Sequence, residues 1–174
     1  MRFVTAGLIW ILVGAMPARA TELPSRKAGL WQVKTTIGDN TAAARSIQQC
    51  IDASTDQMLQ SNAGPFSAAA CPQRNVQTSA DATTIDSTCM IAGKPATAHA
   101  VVTGSFEAAY TMTVTSQSEE LPGGKMVMTM EAKWLGPCAA DQKPGDLVMG
   151  NGMKVNILQM QKLATQPGTP LPPN

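Results

Sequence analysis

Four cysteines, one histidine and a row of methionines are the side chains in this chain that could do chemistry. Cys50, Cys71, Cys89 and Cys138 are separated by 21, 18 and 49 residues. That spacing contains no Cys-x-x-Cys redox pair and no zinc-ribbon pair. An even number of cysteines in an exported chain reads as two disulfides. The stretch KWLGPCAADQKPGD (133–146) puts Cys138 after a Gly-Pro stop with no histidine beside it. A nucleophilic thiol needs a cation, a histidine or a helix N-terminus to lower its pKa. Cys138 is therefore expected to be a staple. Three pairings are formally possible. A hairpin through residues 71–91 turning at Ser79–Ala82 brings Cys71 to Cys89, which leaves Cys50 for Cys138.

His99 is the single histidine. Any Ser–His–Asp or Cys–His chemistry has to use it, and a hydrolase built on His99 is one reading. No nucleophile elbow or His-x-x-x-His spacing accompanies it. Glu119 and Glu120 are adjacent beside a turn and would point to opposite faces of a strand. The sequence holds no phosphate-cradling glycine loop and no basic stripe with interleaved aromatics. No catalytic residue, resident metal or cofactor is expected, and the chain is read as non-enzymatic.

Met126, Met128 and Met130 form a Met-x-Met-x-Met row, and Met112 suits a neighbouring strand. Thioethers are soft donors that accept Cu(I), so a copper site at Met126, Met128 and Met130 is one alternative. Methionine is also a flexible filler of cores. With Trp31, Tyr110 and Trp134 on the same side, the row could instead line an apolar pocket on a curved sheet. These seven residues are the candidate ligand-facing set, and the expected partner is an apolar small molecule or another envelope protein.

Period-two alternation positions these side chains. In LWQVKTTI (30–37), Trp31, Val33, Thr35 and Ile37 share one side. RSIQQCI (45–51) is a second strand, and 96–106, 108–118 and 126–135 are three more. DASTDQMLQSNAG (52–64) is one short helix with a Ser54–Gln57 capping-box pattern. Asn151-Gly152 signals a hairpin turn, and 154–163 fits either a strand or a short helix. The expected fold is mainly β, an antiparallel meander forming a curved sheet, open barrel or sandwich with one short helix.

The N-terminus reads as a cleavable signal peptide. Arg2 precedes an apolar run over 3–16, and Ala18-Arg19-Ala20 supplies the small residues before a cut after Ala20. The run is shorter than the roughly 18–20 residues that span a bilayer. The expected organisation is a signal peptide over 1–20, a single β-rich domain over 21–163 and a disordered Pro-rich tail over 164–174. Without Arg2 and Arg19, the 13 basic residues fall to 11 against 12 acidic ones. A near-neutral surface exerts no pull on nucleic acid.

KAGLWQVKTTI, QQCID, TIDSTC, GSFEAAYTMTVTS and MTMEAKWLGPCAADQKPGD together resemble the exported proteobacterial domain-of-unknown-function family 3617, over about residues 27–157. The resemblance implies a Gram-negative periplasmic protein with a β-rich domain. It implies no assigned activity.

Overall fold

A computed structural model describes residues 23–62, 70–91 and 93–165. The signal-peptide reading of 1–20 and all but the first two residues of the tail read over 164–174 lie outside the described residues.

The described residues form one open sheet of nine strands, every pairing antiparallel. In chain order the strands are β1 (Gly29–Ile37), β2 (Arg45–Ile51), β3 (Gln73–Thr78), β4 (Thr83–Ile91), β5 (Lys94–Ser105), β6 (Ala109–Gln117), β7 (Lys125–Gly136), β8 (Asp146–Met149) and β9 (Lys154–Asn156). Across the sheet the order is β3-β4-β5-β6-β7-β1-β2-β8-β9. The run β3 to β7 is a meander in which each strand pairs with its successor. β1 then closes against β7 with Val33 opposite Ala132 and Ile37 opposite Met128.

Alternation divides the sheet into two faces. One carries Trp31, Val33, Tyr110, Val114, Ala98, Ala100, Val102 and Ala132, all buried. The other carries Gln32, Lys34, Asp86, His99, Thr113, Thr115, Glu131 and Lys133. A shift of one residue would exchange the two sets, so the hydrophobic pattern pins the register. Gly29 marks a close crossing where β1 meets β7. Its φ is +134°, and a Cβ there would collide with the Gly136 carbonyl and the Trp134 indole. A side chain larger than hydrogen does not fit.

The helix α1 (Ala53–Asn62) follows β2. Its cap is two residues earlier than the Ser54–Gln57 pattern suggested. Asp52 Oδ1 accepts from the Thr55 amide at 2.9 Å, while Thr55 Oγ1 accepts from the Asp52 amide at 2.9 Å. Two otherwise orphaned helix-end amides are satisfied reciprocally. A second helix, α2 (Ile157–Thr165), follows the three-residue strand β9. Segment 154–163 is thus strand first and helix after, and α2 runs into the start of the segment read as a tail. Asn156 makes the switch: its Oδ1 accepts from the amides of Leu158 and Gln159, and its Nδ2 donates to Asp146. The β8–β9 hairpin turns through Gly150-Asn151-Gly152, closed by Met149 N–H donating to the Met153 carbonyl at 2.8 Å. Gly152 takes the left-handed position that a three-residue loop demands.

Two disulfides brace this frame. Cys50 is bonded to Cys138, and Cys71 to Cys89. The first joins the end of β2 to the segment after β7; the second joins the segment before β3 to β4.

Candidate functional site

The apolar face has a sealed end and an open end. At the sealed end Trp31 is fully buried, with Val33, Ile51, Val102, Tyr110 and Ala132 around it. Leu23, Leu59 of α1 and Phe106 close over this cluster. Trp31 and Tyr110 rings lie 5.9 Å apart, and Phe106 stacks on Tyr110 at 4.8 Å. Such offset aromatic contacts add to the area they bury. Trp31 and Tyr110 therefore belong to the core and leave the ligand-facing set.

An ion pair locks that end. Arg26 Nε donates to Asp56 Oδ1 at 2.7 Å, and the Arg26 amide donates to Asp56 Oδ2 at 2.7 Å. Gln60 Nε2 donates to the same carboxylate at 2.9 Å, and Arg26 Nη1 donates to Gln49 Oε1 at 2.8 Å. Asp56 is fully buried. A buried charge is tolerable only when paired and hydrogen-bonded, as this one is. The guanidinium also sits 5.7 Å over the Trp31 ring. Burial pushes the Tyr110 phenol above its ordinary pKa, opposed by the Arg26 charge and reinforced by Asp56. Arg26, Gln49 and Asp56 went unrecognised in the sequence. They lie 30 residues apart at the extremes, and only the packing of α1 against the chain before β1 unites them.

The methionines occupy the open end. Met130 stands opposite Met112, Met128 opposite Val114, and Met126 opposite Ser116. Met112 and Met128 pack against the second buried cluster, formed by the Cys71–Cys89 bridge, Ala96, Ala98, Ala100 and Val114. Among the described residues, Met126 and Met130 join neither cluster and are only partly buried. Ile37, in register with Met128, is 59% exposed. Trp134 is half-buried on the same face, its indole N–H donating to the Ala28 carbonyl at 3.2 Å and its ring under Lys27 Nζ at 3.8 Å. A strip of apolar surface therefore lies beside a finished core.

His99 is on the opposite, polar face. Its Nδ1 lies 2.7 Å from Asp86 Oδ1, on the neighbouring strand and directly in register. Both side chains are about half exposed, at 52% and 55%. The carboxylate orients the ring and leaves Nε2 available. Asp86 was not singled out in the sequence, since the pair is 13 residues apart and needs the β4–β5 register to meet. Glu119 and Glu120 both reach Lys94 Nζ, at 3.8 and 3.5 Å. They form an exposed ionic cluster at the end of β6.

Every cysteine is in a disulfide. Among the described residues, no three His, Cys, Asp or Glu side chains converge as metal ligands. No helix among them is long and apolar enough to cross a membrane. No curated protein matches the chain, and no solved structure does. One family does match, over residues 26–138, which takes in all four cysteines, the Met row and the His99–Asp86 pair. The chain belongs to the family described as "Protein of unknown function (DUF3617)".

Proposed function

We propose that this is an exported, periplasmic, non-enzymatic binding module that takes an apolar small molecule on the open strip of its sheet. The observation that carries the reading is the unfinished burial of Met112, Met126, Met128 and Met130 beside Ile37, on a face whose other half is closed. Exposed contiguous apolar surface of this kind marks interaction sites. Unbranched thioether side chains adapt to irregular apolar partners. Export is supported by the charged, apolar and small-residue pattern of residues 1–20. It is supported again by two disulfides, which persist in oxidising compartments. Native mass spectrometry of the protein extracted from its compartment tests the reading. The expected result is an added mass that organic solvent removes. A protein that is always at its bare mass, and that binds no apolar probe, contradicts it.

One observation favours a second reading. Met112 and Met130 are directly opposite across β6 and β7, with Met128 one step along the same face. Three thioethers so placed suit Cu(I). A Cu(I) titration of the wild type against a Met112→Leu, Met128→Leu, Met130→Leu variant separates the two. Leucine keeps the apolar surface and removes the sulfur, so only the copper reading predicts loss of binding.

A further inference from the structure

The polar face carries a second constellation, independent of the apolar strip. Asn75, Asp86, His99 and Thr115 stand in one cross-strand row over β3, β4, β5 and β6. The adjacent row on the same face is Gln73, Thr88, Thr97 and Gln117. The eight positions offer amide, hydroxyl, imidazole and carboxylate groups and no hydrocarbon tip larger than a threonine methyl. Together they line an open hollow of about 470 Å³. A second hollow of about 410 Å³, with Lys94 and Glu119 in its wall, shares Gln117 with the first.

We propose that this hollow is a saccharide-binding groove, with the Asp86-oriented His99 at its centre. Its volume lies within the range of small-ligand sites. Its donors and acceptors are of both kinds, as vicinal hydroxyls require. Fixed negative charge outweighs positive around it. Asp86 faces His99, Lys94 faces Glu119 and Glu120, and Arg74 has a partner of its own. A phosphate or carboxylate ligand would therefore meet an excess of carboxylate charge, which favours a neutral polyol. Among the described residues, no aromatic side chain lines either hollow. Recognition accordingly rests on hydrogen bonds and not on ring stacking. His99 is the pivotal group because its Nδ1 is held by the carboxylate and its Nε2 remains free to meet a ligand hydroxyl.

The test is a titration of the ¹⁵N-labelled, disulfide-bonded protein with maltose, cellobiose and N,N′-diacetylchitobiose. Sedimentation with insoluble cellulose and chitin runs in parallel, to tell a soluble oligosaccharide from a polymer chain. Saturable shifts at the amides of Asn75, Asp86, His99 and Thr115 with at least one sugar are expected, and none along β7 at Met126–Met130. His99→Ala and Asn75→Ala should each weaken binding about tenfold, the loss of one good hydrogen bond to a polar ligand. Both positions are on the surface, and an otherwise unchanged spectrum will show that the variants fold. Absence of saturable shifts with all three sugars together with no sedimentation overturns the proposal. So does binding that both substitutions leave intact.

Discussion

The two ends of the apolar face are made of the same strands and differ in what lies on top of them. At one end Trp31 and Tyr110 lie under α1, Leu23 and Phe106, locked by Arg26 and Asp56. At the other, Met126 and Met130 carry the same alternation yet are only partly buried. Alternation therefore determines which face a residue joins, while burial depends on a covering element. The sealed end uses rigid aromatic rings and a specified polar lock, which favour one arrangement. The open end uses flexible thioethers, which accommodate several. That difference separates a part that holds the fold from a part free to meet something else.

Substitutions should expose the contrast. Removing the Cys50–Cys138 bridge, whose cysteines are 88 residues apart, should destabilise by about 4.5 kcal/mol on the chain-entropy estimate. The 18-residue Cys71–Cys89 bridge should be worth about 3 kcal/mol, and paired chemical denaturation of the two Cys→Ala double variants compares them. Asp56→Ala strands the Arg26 guanidinium in the core and should cost about 4 kcal/mol. Tyr110→Ala at the sealed end should cost about 3 kcal/mol, whereas Met126→Ala at the open end should cost less than about 1 kcal/mol. Equal penalties for these last two would erase the distinction between the ends.

The smallest effect is acid dependence at the α1 cap. Hydrogen bonds from the Thr55 amide, the Thr55 hydroxyl and Ser54 hold the Asp52 pKa below the ordinary carboxylate value. A depressed carboxylate pKa contributes stability above its unfolded value of about 3.9 and loses it as pH falls through the lower folded value. The Tm difference between wild type and Asp52→Ala should thus be constant near neutrality and shrink below about pH 4. A difference unchanged down to pH 2 would mean that the carboxylate charge is irrelevant to the cap.

Much of this architecture was legible in the residues. LWQVKTTI and MVMTMEAKWL alternate cleanly because one side of each is wet, and both are strands at those positions. The Ser79–Ala82 turn was readable because its serine closes the loop, the Ser79 hydroxyl donating to the Ala82 carbonyl and accepting from the Ala82 amide. The α1 cap was misplaced because Ser54 and Asp52 both suit an N-cap, and only the backbone decides between them. Helix α2 was ambiguous because ILQMQKL follows a short strand, and the switch rests on the side chain of Asn156. The Arg26–Asp56 lock and the His99–Asp86 pair were illegible for one reason. Each joins residues whose meeting depends on tertiary packing or strand register, which no local pattern encodes. The closure of Trp31 and the openness of Met130 were illegible too, since both sit on the same side of adjacent strands.

The central claim is that the Met end of the face is a binding surface and not an incomplete core. The most direct measurement is a fluorescence titration of the native, oxidised protein with N-phenyl-1-naphthylamine, run on wild type and on Met128→Glu. The wild type should bind saturably, and the carboxylate introduced at position 128 should weaken that binding at least about tenfold with the disulfide-braced fold retained. No saturable binding by the wild type, or identical binding by both proteins, would contradict it.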